Sequence, residues 1–506
     1  MDTLWPLLAK HSTIAAVALC LALVGLIHKY RSRSLKSLLP PGPPGHPILG
    51  NAIPTAFAYR KFEEWTKQYG PVFALRQGFQ TVVVIGRMQA AVEIMEKEGA
   101  ALVDRPLSIS AGETLSGGMR VLLTPAGERF KKMRRALHAH LQPKIVASYS
   151  PVLMSKARQH IIDLIEDPEQ HQDHAKRYSA SVVMALAYGR HPKSYHDPDV
   201  QAVNRCLTRL GNTLRPGVWR VDVYPFLRYV PGYLKELKDG HAEELALFKR
   251  QLNEVKKAID GGEEVPQSFG KYLLERQAEL ELSDDETAYL AGSMFGAGSD
   301  TTASAISIGI LAAACYPEAQ RRVHEELDQV IGKGKAPTFS DQHMLPQTMA
   351  FVLETLRWRP VSAGGFAHKA TKDIVWQNYV IPKGTAVIGN IWAIGRDPEY
   401  FPDPERFNPQ RWLTADGKLK EDMKSYPFGF GRRICPGQHI AAASVFINTA
   451  LVHWAFNIKA DPKSPIDELA FTESANTHPL PFKVILEPRV ASTREGIRDL
   501  IEDYGL

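Results

Sequence analysis

The sequence predicts a mainly α-helical protein with a few small β-sheets, preceded by an N-terminal transmembrane helix. Helical periodicity covers most of the chain after residue 50. Short Val-rich strands occur in only a few places, and one uncharged apolar run stands near the N-terminus. Length alone would suggest about three domains. No linker divides the chain after residue 50, so we expect one domain over residues 51–506.

The N-terminal apolar run, residues 12–28, predicts a transmembrane anchor. Extended back to Leu7 it gives roughly 21 residues, about 31 Å of helix, which is enough to cross a bilayer core. A cleaved signal peptide is the alternative, but no small-x-small cleavage site follows the run. Basic residues come directly after it, so the positive-inside rule makes residues 1–11 a short lumenal tail. These basic residues are Lys29, Arg31, Arg33 and Lys36.

A basic and Pro-rich linker, residues 29–50, follows the anchor. Its run of prolines at 40–47 cannot continue a helix and predicts an extended spacer, or a plain linker. Strands are then predicted as a hairpin at 72–77 and 81–85, a pair between 373 and 389, and one strand at 481–487. The clearest helices are predicted at 125–141, 286–314, 317–331, 347–358 and 437–456.

Composition excludes several functions. The 61 Lys and Arg against 55 Asp and Glu give a net charge of +6, without the dense basic stripe of a nucleic-acid binder. The four cysteines are far apart, which argues against a disulfide framework or a zinc site. No Gly-rich phosphate loop is present, so nicotinamide or ATP binding by this chain is not expected.

The stretch at residues 428–437 carries the strongest chemical signal. Its glycines permit a tight backbone and close approach to a flat ligand. The turn leads into a helix near Gly437, whose N-terminal amides favour a thiolate at Cys435, and Arg433 can bind a carboxylate. Taken alone, the stretch could also be a Gly-rich turn with a buried cysteine.

This stretch matches the pattern F-x-x-G-x-R-x-C-x-G and resembles the haem loop of the cytochrome P-450 family. Further family motifs follow the same order, so the resemblance covers essentially the whole chain. It implies the cytochrome P-450 fold with a single haem domain and haem b as cofactor. By that resemblance Cys435 is the axial ligand of the haem iron, Arg433 binds a propionate, and Phe428 packs beside the thiolate. Gly437 begins the helix behind it.

The residues Glu354 and Arg357 resemble the family's E-x-x-R pair. Their spacing places both side chains on one helical face. Pro404-Glu405-Arg406-Phe407 follows, and the resemblance implies that Arg406 completes a buried structural triad. We expect loss of one member to prevent haem retention.

An acid and an alcohol interrupt a long apolar helix at residues 297–302. Three small residues, among them Gly298, would let the helix approach a flat ligand. The stretch is similar to the family's (A/G)-G-x-(D/E)-T, which implies that Thr301 steadies dioxygen and Asp300 relays protons. The alternatives are a satisfied polar pair, or a hydrogen bond from Thr301 to the carbonyl of Ala297 that bends the helix.

Further cofactor contacts are implied by less complete motifs. Arg134 keeps the Arg of a W-x-x-x-R motif, while Phe130 stands in the Trp position and lacks an indole N–H. His368 resembles a propionate-binding histidine, although an ordinary strand histidine is an equal alternative. Basic neighbours of Arg134 could dock an acidic reductase or form a solvated face. These neighbours are Lys131, Lys132 and Arg135.

The resemblance implies a monooxygenase that takes electrons from NADPH through a flavoprotein reductase, with cytochrome b5 as a further donor. Mostly apolar stretches would line a pocket for a small lipophilic substrate. Two tracts look like fungal biosynthetic members, which implies a tailoring step in secondary metabolism and an endoplasmic reticulum enzyme facing the cytosol. Xenobiotic detoxification, isomerase, dehydratase or peroxygenase chemistry and a non-catalytic haem sensor are the alternatives. The pocket stretches are 108–123, 206–222, 294–295, 361–366 and 471–478.

Overall fold

The computed structural model describes residues 38–47, 49–78, 80–192 and 194–502. The predicted anchor at 12–28 and the tail before it lie outside the described residues. Within these ranges no helix has both the length and the hydropathy needed to cross a membrane.

Helices make up most of the described chain. Five of them correspond to the five clearest sequence predictions, with ends that differ by no more than three residues. In chain order the α-helices of four or more residues are α1 (Ala58–Tyr69), α2 (Glu128–Leu141), α3 (Pro143–Ser148), α4 (Ser150–Glu166), α5 (His171–Tyr188), α6 (Pro198–Thr213), α7 (Lys235–Asp260), α8 (Phe269–Glu275), α9 (Gln277–Leu280), α10 (Asp284–Cys315), α11 (Pro317–Val330), α12 (Pro346–Trp358), α13 (Ile391–Ile394), α14 (Gln438–Ala455) and α15 (Arg494–Glu502).

The strands form three small sheets. They are β1 (Val72–Gln77), β2 (Gln80–Ile85), β3 (His368–Lys369), β4 (Ile374–Trp376), β5 (Tyr379–Ile381), β6 (Ala386–Gly389), β7 (Phe456–Ala460) and β8 (Val484–Pro488). The largest sheet has the order β1-β2-β6-β3, and β4-β5 and β7-β8 are antiparallel pairs. The predicted hairpin β1-β2 is confirmed. The strand pair predicted between 373 and 389 is confirmed as β4-β5, and the same stretch also contains β6, which joins β2 in parallel.

Helix α10 is the central element of the fold. Its 32 residues span about 48 Å, and it packs against α5, α6, α7 and α14. The first turn is fixed by a capping box, in which Ser283 and Glu286 each accept from the other's backbone N–H. Apart from its ends and one short face the helix is buried, so it can hold that face at a fixed place inside the protein.

The Pro-rich stretch after residue 38 lies along strand β1. The backbone N–H of Ala74 donates to the carbonyl of Pro41 at 2.9 Å. Gly42 has no space for a side chain, because a Cβ there would lie 1.8 Å from the carbonyl oxygen of Ala74. The described part of the predicted linker, residues 38–47 and 49–50, is therefore packed against the sheet, and we call this segment the strap.

A buried carboxylate, Glu354 on α12, joins this helix to the chain around residue 408. Arg357 donates to it through Nε at 2.8 Å and Nη2 at 2.7 Å. Arg411 Nε, Trp412 Nε1 and the backbone N–H of Asn408 also donate to it, at 3.1, 2.9 and 2.9 Å. Burial acts to raise the pKa of Glu354, but these donors and charges outweigh it and hold the pKa below its ordinary value.

The third member of the triad is Arg411, which corrects the assignment to Arg406. The side chain of Arg406 is exposed, and only its carbonyl takes part, accepting from Arg357 at 3.5 Å. Arg411, by contrast, is buried on the short 3-10 helix Pro409–Trp412, where its Nε reaches Glu354. A second Pro-x-Arg-aromatic run, which includes Arg411 and Trp412, follows five residues after the first and was the signal that sequence reasoning missed.

The two arginines provide a matched test of this correction. We expect Arg411→Ala to lower the free energy of unfolding by about 3 kcal/mol, because the buried charge of Glu354 loses a cation. Arg406→Ala should change it by no more than about 0.5 kcal/mol, as for an exposed side chain. Urea unfolding followed by tryptophan fluorescence measures both values. A larger loss from Arg406→Ala would contradict the corrected triad.

Candidate active site

The loop before α14 is held in a tight, closed conformation around Cys435. The backbone N–H of Cys435 donates to the carbonyl of Phe428 at 2.9 Å. Gly429 and Gly431 have φ values of 82° and 51°, a region that favours glycine. A Cβ on Gly431 would also lie 3.2 Å from the Cα atom of Gly99. The loop therefore needs glycine both for its own turn and for its approach to the 91–99 segment.

The three described cysteines differ in what surrounds the sulfur. Burial raises the pKa of Cys206 and of Cys315 to about 12, and a nearby carboxylate acts in the same direction for each. Burial also raises the pKa of Cys435, but the backbone N–H of Gly437 and the charge of Arg134 act against it. Cys435 is thus a partly exposed thiol with a hydrogen-bond donor and a cation close to it, as a thiolate ligand requires.

The side chain of Arg433 is fixed beneath this loop. Its Nε donates to the carbonyl of Val103 at 2.6 Å and its Nη1 to that of Val121 at 3.4 Å. The guanidinium lies 3.5 Å from the ring centroid of Phe130. Its Nη2 is buried and has no hydrogen-bond partner among the described residues. A guanidinium held on three sides with one free donor is suited to an anionic ligand.

Phe130 and Arg134 lie one helical turn apart on α2, and each contacts the residues around Cys435. The ring of Phe130, in the position where tryptophan was expected, stacks on Arg433 rather than offering an N–H. Arg134 Nη1 donates to the carbonyl of Ile434 at 2.9 Å, next to the cysteine. Helix α2 therefore fixes the position of the loop and of one of its cations.

His368 and Arg105 complete a buried group of basic side chains. His368 Nδ1 lies 2.7 Å from the carbonyl oxygen of Leu102, so Nδ1 carries the proton and donates. Burial and the charge of Arg105, with a further contribution from Arg433, lower the pKa of His368 to about 3. Burial lowers the pKa of Arg105 to about 9, Arg433 adds to the effect, and Asp104 opposes it.

Sequence reasoning missed Arg105, which follows Asp104 in an Asp-Arg-Pro run. Its guanidinium donates to the carbonyls of Leu122, Phe366 and Ala367, at 2.7 to 3.0 Å. A run of three residues carried no recognisable motif, and its carbonyl partners are distant in the sequence.

These basic residues define a site for a dianion. Arg105, Arg134, His368 and Arg433 come together, and Asp104 is the described carboxylate that acts on two of them. Burial is the main cause of each lowered pKa. Arg433 also lowers the pKa of Arg105 and His368, and Arg134 that of Arg433, so added negative charge would stabilise the cluster. Two carboxylates, such as the propionates of haem, would supply that charge, so the residues present fit this cofactor. The roles of the individual residues towards it stay predictions.

One short face of helix α10 carries the predicted acid–alcohol pair. Thr301 Oγ1 donates to the carbonyl of Ala297 at 2.9 Å, the local hydrogen bond considered as an alternative from the sequence. Ala297 is exposed and Thr301 partly exposed, in a helix that is otherwise mostly buried. The hydroxyl proton is committed to the helix, and the oxygen lone pairs remain as acceptors. The carboxylate of Asp300 lies 2.8 Å from His478 Nε2.

Gly298 has a role in packing that the sequence did not indicate. A Cβ on this residue would lie 2.3 Å from Val183 Cγ1 of helix α5. The carbonyl of Gly298 accepts from Ser179 Oγ at 2.7 Å, also on α5. A side chain at residue 298 would point towards α5, so glycine here allows α5 to pack closely against α10.

The basic residues beside Arg134 on α2 are partly neutralised by carboxylates. Lys131 pairs with Glu128 at 2.6 Å on its own helix, and Lys132 pairs with Glu281. Arg135 is exposed. The face is therefore mixed in charge, and Arg135 is an exposed cation on it.

Comparison with known proteins identifies relatives over nearly the whole chain. The family model described as Cytochrome P450 matches residues 40–486. Cytochrome P450 monooxygenase 88 of Postia placenta is 55% identical over 480 residues, which are 95% of this chain and 96% of that protein. A cytochrome P450 monooxygenase of Armillaria gallica is 35% identical over 89% of this chain and 90% of its own length. Cytochrome P450 monooxygenase claR of Ampulloclitocybe clavipes is 32% identical over 97% and 94%, respectively.

The buried cation Arg105 provides a test of the dianion site. Arg105→Met should accelerate haem loss to a haem-accepting protein by about tenfold, equivalent to one charge-assisted hydrogen bond of about 1.5 kcal/mol. Arg135→Met, which removes an exposed cation of the same region, should leave haem loss unchanged. Thermal unfolding of both variants shows whether the fold is intact. Equal rates of haem loss from the two variants would show that Arg105 does not contribute to the dianion site.

Proposed function

The chain belongs to the cytochrome P450 family and is a cytochrome P450 monooxygenase, and on this premise we propose its electron source, substrate class and location. NADPH supplies two electrons through a flavoprotein reductase, with cytochrome b5 as a further donor. The overall reaction converts RH, O₂, NADPH and a proton to ROH, NADP⁺ and water. The observation that carries the proposal is the Cys435 thiol in a closed loop, with Arg134 close to it and a group of buried basic side chains beside it.

The chain's own residues would hold the cofactor and keep water from it. Haem b, when bound, supplies the redox chemistry of oxygen activation. Cys435 would bind its iron through Sγ, and Arg433, Arg134 and Arg105 would hold its propionates. His368 would join them once the negative charge of a propionate raises its pKa and Nε2 gains a proton. Phe428 packs against the apolar core and would keep water from the sulfur.

The acid–alcohol pair on α10 would manage protons. Asp300 would hold a proton at its carboxylate and pass it towards Thr301 Oγ1. Because the hydroxyl proton of Thr301 is donated to the carbonyl of Ala297, its oxygen lone pairs are available to accept. This pair also argues against an isomerase or dehydratase reaction, which needs no external electrons or proton delivery to oxygen. NADPH-independent turnover would favour those alternatives.

The substrate is proposed to be a lipophilic organic molecule, and the reaction a hydroxylation, epoxidation or successive oxidation. The stretches expected to line the pocket include the buried Met294 and Phe295 on α10 and the loop at 361–366. The relatives are fungal monooxygenases, in keeping with the proposed tailoring step in secondary metabolism, and detoxification is the alternative. Metabolite profiling of a host that expresses the chain with a reductase tests this assignment.

The enzyme is proposed to be anchored in the endoplasmic reticulum membrane through residues 12–28, with its body in the cytosol. The basic residues after the apolar run support this orientation. Exposed apolar side chains near the strap support it further: Leu49 is 61% exposed, Phe226 65% and Tyr229 81%. The 218–230 segment lies beside the strap because Val223 contacts Gly78, whose N–H donates to the carbonyl of Leu49.

The ferrous–carbonyl spectrum tests the thiolate ligand. The wild-type protein should show the red-shifted band of a thiolate complex, and Cys435→Ser should lose that band because an alcohol does not replace a soft thiolate donor. Cys315→Ser, which removes a thiol outside the loop, should retain it. A folded, haem-loaded wild-type protein without the band would refute the ligand assignment.

Thr301→Ala tests the alcohol of the proton relay. We expect normal haem content, with water formation reduced by roughly tenfold and the electrons diverted to peroxide. Peroxide released per NADPH consumed, measured with reductase and without organic substrate, gives the partition. Thr302→Ala, its buried neighbour, is the control and should behave as the wild type. An unchanged partition in Thr301→Ala would exclude Thr301 from the relay.

A further inference from the structure

His478 is a basic side chain held against the acid of helix α10. Its Nε2 lies 2.8 Å from Asp300 Oδ1, and the two side chains are 21% and 26% exposed. Asp300 has one further described partner, because Asn476 Nδ2 lies 3.4 Å from its other oxygen. The carboxylate is therefore contacted on both oxygens by side chains of one turn, at residues 472–478.

The turn that carries His478 is rigid at this residue. The backbone N–H of His478 donates to Thr472 Oγ1 at 3.0 Å, and its carbonyl accepts from the N–H of Thr472 at 2.9 Å. An isolated bridge between Phe471 and Pro479 closes the turn. The imidazole thus extends from a backbone that is fixed on both sides.

The same turn is bound directly to the helix that carries Asp300. Ser304, one helical turn after Asp300, donates through Oγ to the carbonyl of Thr477 at 2.6 Å. This contact is buried, so it fixes the distance between the turn and α10. His478 and Asp300 meet because two backbones are held at a set separation.

The loop after helix α12 fixes the other partner of Asp300. Ser362 Oγ donates to Asn476 Oδ1 at 2.8 Å, which directs the amide nitrogen of Asn476 away from Ser362. The N–H of Thr477 donates to the carbonyl of Val361 at 2.8 Å. Helix α10, the 361–362 loop and the 472–478 turn therefore together place the N–H donors of Asn476 and His478 against the carboxylate of Asp300.

This arrangement differs from an ordinary surface ion pair. Such pairs contribute little because two long, flexible side chains must be ordered. Here both side chains are short and both backbones are fixed before they meet, so little ordering is required. The alcohol beside Asp300 is also fixed, through the bond from Thr301 to Ala297. The helix orients the hydroxyl, and the 472–478 turn orients the carboxylate.

We infer that His478 is a positioning residue for proton delivery, which holds the carboxylate of Asp300 in the orientation needed to serve Thr301. This inference rests on the proposed monooxygenase reaction. His478 acts through Asp300 and needs no contact with the substrate or the cofactor. Its removal should leave the fold and the haem in place and misdirect protons.

The experiment uses the full-length, haem-loaded protein with reductase, NADPH and O₂, and no organic substrate. The electrons then reduce O₂ either to peroxide, with one NADPH consumed per peroxide, or to water, with two NADPH consumed per O₂. His478→Ala should lower the electron flux to water roughly tenfold, less than the 10²–10⁴ contributed by a general acid–base group itself. His478→Gln, which keeps an N–H donor, should recover most of it. His343→Ala, an exposed histidine elsewhere, is the control.

A double-mutant cycle separates this role from a general structural one. If His478 acts only through Asp300, then His478→Ala should have no further effect in an Asp300→Asn protein. Independent, multiplicative effects of the two changes would overturn the inference, as would a wild-type partition in His478→Ala.

Crystal structures of the resting wild-type and His478→Ala proteins provide a readout without turnover. The carboxylate of Asp300 should change its side-chain rotamer in the variant, and an unchanged carboxylate would overturn the inference. If the wild type itself lacks the thiolate band or any NADPH-dependent oxygen consumption, the proposed function fails. The crystallographic comparison still decides whether His478 positions Asp300.

Discussion

The buried carboxylate of Glu354 is the constraint on which the placement of the site depends. Its charge is far from water and is stabilised only because donors from α12 and from residues 408–412 converge on it. The chain that leaves α12 then has a fixed starting point. Within ten residues it supplies Val361 and Ser362, which hold the 472–478 turn, and His368 in the buried group of basic side chains.

The site uses burial in two opposite ways. At Glu354 the buried charge is fully compensated, so the network is structural and self-contained. At Arg105, Arg433 and His368 the compensation is incomplete, and burial lowers the pKa of each. A folded protein retains such a deficit where a ligand supplies the missing charge. The balance of charge therefore separates the structural network from the binding site, although both contain buried arginines.

Local patterns in the sequence predicted most elements and the central motif. The β1-β2 hairpin and the five clearest helices depend on the periodicity of neighbouring residues, and the loop around Cys435 depends on glycines within ten residues. Strand β7 was missed because it follows α14 directly and is defined by its pairing with β8. Arg406 was chosen over Arg411 because two similar runs lie five residues apart. Their aromatic residues, Phe407 and Trp412, are both buried, and only the contact of Arg411 with Glu354 distinguishes the two arginines.

The two polar residues on α10 differ in how far away in the sequence their partners lie, and only the near partner can be predicted from a motif. The bond from Thr301 to Ala297 lies within one helical turn, so the sequence alone could propose it. The bond from Asp300 to His478 crosses 178 residues and exists only because α12, the 361–362 loop and the 472–478 turn are already in place. Because long-range packing sets the orientation of Asp300, changes in those loops can alter this orientation while the helix motif stays the same. In the proposed relay, the direction of proton delivery is thus a property of the assembled fold, set by the loops expected to line the substrate pocket.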